Sequence, residues 1–176
     1  MFIDKISLND KEMIEFFNNS TISTISPRLS KRVNYCYTQN APAIAPIMNE
    51  KNIWNWRDGK CSGDWNYPFS VAAFHIFRKS DLECLRMHNF RAPNTFEAAM
   101  NSVPFTGRDN MICYNGAKCF TAANNKVQIE NNNRHENSHS IEYLNKIFLD
   151  GHRLSPIVNQ NMKSNACHGP VNYLWN

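Results

Sequence analysis

The sequence predicts a mixed α/β domain, a short mixed sheet flanked by three to four helices. Three observations predict it. Four segments carry helix-type spacing behind a capping residue, several short β-branched or apolar runs lie between them, and the composition is that of a chain with a core. Apolar residues make up 42% and aromatic residues 12% of the chain, well above what a disordered polypeptide shows. A length of 176 residues suits one domain covering 1–176 better than two.

The elements are taken in chain order. Leu8 to Phe17 is the first helix, with Ser7 as N-cap and Asp10 three residues on, and with Met13, Ile14, Phe16 and Phe17 on its buried side. Thr21 to Ile25 and Val33 to Tyr37 alternate in the manner of short strands around a polar turn at 27–32. Residues 40–50 hold two prolines and no period, and residues 51–68 gather three of the four tryptophans among Asn, Asp and Gly; both are expected to be irregular. Phe69 to Phe77 is the most apolar run and is expected to be a buried strand, with His75 as a hydrogen-bonded core histidine.

Ser80 and Glu83 form a capping-box pattern before Leu82 and Leu85, and Asn94 and Glu97 form another before Phe96, Ala99 and Met100. Met111 to Tyr114 and Ala117 to Ala122 flank Asn115-Gly116, the dipeptide of a type I′ hairpin. Val127 to Ile129 is a strand stub. Ser140 to Leu149 is a helix with Ile141, Leu144 and Phe148 on one face and Gly151 beyond its end. The tail from Leu154 is irregular.

Composition narrows the function. The formal charge is +4, from 19 basic and 15 acidic residues. The basic residues are scattered, without the aromatic-interleaved stripe of a nucleic-acid binder, so no nucleic-acid partner is expected. No apolar run approaches the roughly 20 residues of a membrane helix, and the charged first residues lack a signal-peptide core. The six cysteines contain no CxxC pair, which points to free thiols in a reducing, cytoplasmic setting.

Several phrases, taken in order, resemble a largely uncharacterised group of bacterial GT-A type glycosyltransferases: SPRLSKRVNYCYTQN (26–40), IWNWRDGKCSGDWNYPFSVAAFHIFRKSDL (53–82), FRAPNTFEAAMN (90–101), NKVQIENNNRH (125–135), SIEYLNKIFLDGHRL (140–154) and NACH (165–168). The resemblance runs from about residue 20 onward and implies the acceptor side of the fold, a partial GT-A-like domain. Relatives carry upstream an Asp-x-Asp motif that holds metal and diphosphate; this chain has no Asp-x-Asp and is expected to lack the N-terminal nucleotide-binding half, and so to be inactive by itself. The partners implied are a sugar nucleotide and a glycan acceptor, with a divalent metal (Mn or Mg) if the donor half is present. A missing half leaves an apolar face that a homo-oligomer would cover.

Sugar transfer needs a carboxylate to take the acceptor proton and positive charge for the departing diphosphate. By the resemblance, Glu97 is the candidate base, against a plain N3 capping role; Asp64, in Gly63-Asp64-Trp65, is the second carboxylate, against a turn aspartate bonded to its own backbone. Trp54, Trp56 and Trp65 are candidate stacking platforms for the acceptor, against simple core packing. Arg28 and Arg78 are candidate phosphate contacts, and His168 is the candidate metal ligand, against a surface histidine. The alternative is a non-catalytic carbohydrate-binding or assembly protein that keeps the fold without the chemistry.

Overall fold

A computed structural model of the chain describes residues 2–3, 11–18, 21–72, 75–83, 85, 88–102, 107–123, 134, 139–153, 164–170 and 175. In chain order these form β1 (Phe2–Ile3), α1 (Lys11–Asn18), β2 (Ile22–Ser26), β3 (Tyr35–Cys36), β4 (Ala41–Pro42), β5 (Ile53–Asn55), a 3-10 turn (Gly63–Asn66), β6 (Ile76–Phe77), α2 (Lys79–Glu83), α3 (Pro93–Ser102), β7 (Asn110–Cys113), β8 (Cys119–Ala122), α4 (Ile141–Leu149) and β9 (His168–Gly169). The strand stub expected at Val127 to Ile129 lies outside the described residues.

The main sheet is mixed, in the order β5-β7-β2-β6. β2 runs parallel to β7 and antiparallel to β6, and β5 runs antiparallel to β7. All five residues of β2 are buried, polar ones included. Alternation in a strand ordinarily means one solvated face; here both faces are covered, and two of the three hydroxyls find internal partners, while Thr24 Oγ1 has none among the described residues. Ser23 donates to Asn110 O at 3.0 Å, and Ser26 Oγ meets His75 Nε2 at 3.0 Å. A register shift between Ile22 and Thr24 inserts an extra residue, and such a bulge re-aims the side chains beyond it. It explains why Ile22 and Ile25, three apart, share one small cluster with Ile112, against which Phe17 of α1 packs.

The larger core lies on the other face, around Leu29, Val33, Trp54, Trp65, Phe69, Met100, Met111 and Cys167. A second sheet, β1-β8-β9, and a two-stranded ribbon, β3-β4, complete the strands. β9 pairs parallel with β8, Thr121 opposite His168. The C-terminal stretch, expected to be irregular, is thereby drawn into a sheet.

Three expected elements take a different form. The run Phe69 to Phe77 is a strand only at Ile76–Phe77. Its first part has its backbone taken by α3 instead of a neighbouring strand: the Val71 N–H donates to Glu97 Oε1 at 2.6 Å and the Phe69 N–H to Asn101 Oδ1 at 3.4 Å. The Asn115-Gly116 hairpin does not form, because β7 has β5 and β2 on its two edges and β8 has β1 and β9. In α2 the buried acid is Asp81, ion-paired with Arg108 at 2.5 Å, while Leu82 is exposed; Leu85 is buried as expected. In α1, Ile14 is also exposed.

α4 forms as its caps predict. Ser140 Oγ accepts the Tyr143 N–H at 3.1 Å, and Gly151 follows with φ 93°. No residue of this helix is buried. Among the described residues, no helix is long and apolar enough to cross a membrane. The described cysteines, Cys36, Cys61, Cys113, Cys119 and Cys167, are free and buried.

Candidate functional site

A cleft of about 840 Å³ opens between the 3-10 turn, the start of α3 and the β8-β9 edge. Asp64, Glu97, Arg28 and His168 all line it, together with Tyr67, Ser70, Thr38, Thr121 and Arg134. Residues spread over more than a hundred positions of sequence therefore converge on one concavity of the size small-ligand sites occupy.

Asp64 is placed by the glycine before it. Gly63 has φ 67°, and a Cβ there would stand 3.0 Å from Cys36 Cβ. Only glycine fits this left-handed, close approach of the turn to β3. The turn then presents Asp64 to Arg28, whose Nη2 lies 2.9 Å from Asp64 Oδ1 with both side chains buried. Burial alone would lower the Arg28 pKa, but Asp64 and, in smaller part, Cys167, Glu97 and Cys119 together outweigh it, and the pKa stands above its ordinary value. The pair is incompletely satisfied: among the described residues Asp64 Oδ2 and Arg28 Nε have no hydrogen-bond partner, nor does Thr121 Oγ1 nearby on β8. Buried polar atoms are rarely left so.

His168 closes this wall. Its Nδ1 lies 3.9 Å from Asp64 Oδ1, its Nε2 meets the Thr38 hydroxyl, and its ring stands edge-on to Tyr37 with centroids 6.0 Å apart. Burial lowers its pKa, Asp64 pulls it back up and Arg28 opposes again, leaving a net decrease. The imidazole is thus neutral at neutral pH. The surrounding thiols are neutral too: burial and Asp64 raise Cys36, and burial raises Cys167 well above its usual value.

Glu97 sits on the opposite wall. The helix that carries it begins two residues earlier than the capping pattern suggests. Pro93 occupies the first helical position, where its missing N–H is harmless, and Thr95 Oγ1 accepts the Ala92 N–H at 3.0 Å. Thr95, not Glu97, is therefore the residue that reaches back to the cap. Freed from that duty, the Glu97 carboxylate accepts the Val71 N–H at 2.6 Å, faces the Ser70 hydroxyl at 3.1 Å, and accepts the Tyr67 hydroxyl at 3.3 Å. Burial, then Glu97, pushes Tyr67 up to about 12.

The tryptophans take the core role. Trp65 is fully buried and Trp54 and Trp56 nearly so, and none of them lines the cleft. The Trp54 indole N–H donates to Trp65 O at 3.0 Å and that of Trp65 to Val33 O at 3.1 Å, their rings meeting edge to face. With no face open, stacking on an acceptor sugar is not available to them; they form the foundation under the Asp64 turn. Arg78 also departs from the phosphate-binding expectation. Its guanidinium donates to Phe17 O and lies 4.7 Å over the Phe17 ring, which ties α1 to the sheet and away from the cleft lining.

The residues present do not make a metal centre. Among the described residues no group of three or more His, Cys, Asp or Glu is arranged to hold a cation, and His168 has one carboxylate nearby, already committed to Arg28. Sequence reasoning missed Thr38, Thr121 and Arg134. They sit in three separate segments that only the β3 and β8-β9 strands bring to one rim, so no local pattern marks them.

Comparison with known proteins gives one further observation. Over 68 residues, 33% of this chain, the sequence is 31% identical to the bifunctional glycosyltransferase pgtA of Dictyostelium discoideum. The match spans 9% of that protein's length. No family model matches the chain, and no solved structure matches it.

Proposed function

We propose that the chain is the acceptor-binding part of a glycosyltransferase of GT-A type, holding a hydroxyl-bearing acceptor in the Asp64–Glu97 cleft. The observation that carries the reading is the buried Arg28–Asp64 pair, two cleft-lining residues whose Nε and Oδ2 have no hydrogen-bond partner among the described residues. A sugar presents vicinal hydroxyls that donate and accept at once, the complement of a carboxylate oxygen beside a guanidinium N–H. The similarity to a protein named as a glycosyltransferase supports the same class.

In this reading Asp64 orients the attacking hydroxyl and takes its proton, and Arg28 holds the carboxylate in place. Glu97 fixes the 67–71 segment as the facing wall. On the same reading the donor nucleotide, with the divalent metal that accompanies it, is held outside this cleft; the sequence carries no Asp-x-Asp, and no cation cluster stands among the described residues. A non-catalytic sugar-binding role is the second reading, favoured by one observation: both oxygens of the Glu97 carboxylate are already engaged by protein donors.

Saturation-transfer NMR on the full chain with a panel of neutral monosaccharides tests the cleft. At least one should give contacts that vanish in Asp64→Asn; contacts that persist unchanged in that variant would remove the assignment. Calorimetry with UDP- and GDP-sugars plus manganese should show weak or no binding, and micromolar affinity would place the donor site on this chain after all. Transfer by the assembled enzyme separates the two readings, because only an enzyme loses turnover in Asp64→Asn while still folding.

A further inference from the structure

Arg134 is the least expected member of the cleft. It is exposed, yet held in one pose from three sides. Its Nη1 donates to the Tyr35 hydroxyl at 2.8 Å and to Asn40 Oδ1 at 2.6 Å, and its guanidinium lies 4.3 Å over the Tyr37 ring. A surface arginine ordinarily samples many rotamers, and fixing it carries an entropic cost. Here the β3-β4 ribbon has already met that cost. Both bonds use the same nitrogen, Nη1, and the residue lines the cleft. Among the described residues no carboxylate pairs with this guanidinium.

The contrast with the other cationic groups is informative. Arg28 is neutralised by Asp64, Arg108 by Asp81 and Arg57 by Asp109 at 2.8 Å. Among the described residues of the cleft lining, Arg134 is the arginine whose plane is set by contacts without a carboxylate partner. It is also linked to the floor through an unbroken series of contacts: Tyr37 lies under Arg134, His168 stands edge-on to Tyr37, and His168 faces Asp64. A ligand seated on Asp64 and Thr121 would reach Arg134 at the mouth of the same cavity.

We propose that Arg134 is a specificity-determining residue that recognises an anionic group on the bound acceptor, a carboxylate or phosphate on a sugar. The preferred ligand of the cleft is an acidic sugar. A planar guanidinium whose Nη2–Nε edge carries two parallel N–H groups suits bidentate pairing with either anion. This inference rests on the acceptor reading of the cleft, and the two fail in different ways.

The test is binding of five probes to the full chain, followed by NMR at low ionic strength: glucose, glucuronate, glucose 6-phosphate, inorganic phosphate and UDP. Wild type should bind glucuronate or glucose 6-phosphate about ten-fold more tightly than glucose, the scale of one charge-assisted pair. The advantage should shrink as salt is added. Arg134→Gln should remove the preference and leave glucose binding as it was, while Arg134→Lys, which keeps the charge and loses the plane, should restore part of it.

Equal affinity for glucose and its charged relatives, or a preference that survives Arg134→Gln, overturns the inference and leaves the sugar reading standing. Binding of UDP, lost in Arg134→Gln, with no preference among the sugars assigns the anion to the donor and overturns it as well. Binding of inorganic phosphate that depends on Arg134, with no sugar bound at all, supports the anion site and defeats the acceptor reading instead.

Discussion

The two walls of the cleft each carry one carboxylate, and they differ in how completely the protein uses it. On the α3 wall Glu97 faces a backbone N–H and two hydroxyls. On the β3-β9 wall Asp64 has one oxygen ion-paired with Arg28 and the other without a hydrogen-bond partner among the described residues. A carboxylate engaged by protein donors on both oxygens serves the fold; one with an oxygen left over in a buried place can still accept from a water or a ligand. Residue type alone does not distinguish the two. The donors within reach of each oxygen do, and they make Asp64 the better candidate for chemistry and Glu97 the better candidate for architecture.

The sharpest break of this comparison is removal of Asp64. Asp64→Ala leaves Arg28 as an uncompensated charge in a buried position, a change that costs about 3–5 kcal/mol in other proteins. A urea titration should therefore show a large fall in midpoint. Asp64→Asn keeps the shape and should lose less stability but all sugar contact. If Asp64→Asn retained ligand binding, the unpartnered oxygen would not be the recognition point.

The α3 wall has a second anchor, which titrates. His75 is buried, its Nδ1 2.6 Å from Pro68 O and its Nε2 3.0 Å from Ser26 Oγ, so it bridges β2 to the segment that Glu97 clamps. Burial, with Arg28 adding to it, lowers its pKa to about 3. The unfolded chain binds this proton near pH 6.5, so between roughly 6.5 and 3 the unfolded state is the more protonated one. Stability is then fully present above the unfolded value and falls as the pH drops, by about 1.4 kcal/mol per unit. His168, also lowered, adds a contribution of the same sign. His75→Gln, whose amide can donate to Pro68 O and accept from Ser26, should flatten the acid limb of the stability profile by one proton's worth. An unchanged slope would mean that His75 is solvated in the native state.

Glu97→Gln comes next in size. The amide keeps its oxygen for the Val71 N–H and sets its NH2 against the Tyr67 hydroxyl, which must turn from donor to acceptor, so charge-assisted bonds become neutral ones. The expected loss is about 1–3 kcal/mol, read in the same urea titration, with the Tyr67 hydroxyl titrating at a lower pH because an adjacent negative charge is gone. Loss of sugar binding with unchanged stability would reverse the roles assigned to the two walls.

How much of this was legible in the sequence depends on the reach of each interaction. The mixed sheet with its helices, the Ser140 cap of α4 and the core histidine at 75 rest on neighbours within a few residues or on a plain apolar run, and they were readable. Gly63-Asp64-Trp65 was readable as a turn with an acid, but not that the Trp seals the floor while the acid faces the cavity. The capping box at Asn94 and Glu97 was misplaced by two residues because Pro93 and Thr95 make an equally good local signal. The Asn115-Gly116 hairpin failed because a turn dipeptide does not report that both strand edges are already claimed. β9 and the rim residues Thr38, Thr121 and Arg134 depend on pairings across most of the chain, and no window of sequence contains them.

The smallest expected effect is the most discriminating one. Thr121 sits on β8 opposite His168, with its hydroxyl buried and unpartnered among the described residues. If the hydroxyl does nothing for the fold, Thr121→Val, nearly the same shape without the polar atom, should leave stability unchanged or raise it slightly, since an unsatisfied buried hydroxyl is itself a cost of about 1 kcal/mol or more. If the same hydroxyl meets a ligand, the variant should bind sugar several-fold more weakly, as loss of one neutral hydrogen bond implies. Opposite signs in the two measurements are what a site held ready for a ligand produces. A loss in both would make Thr121 part of the scaffold, and the Asp64 wall would then be as self-satisfied as the Glu97 wall it faces.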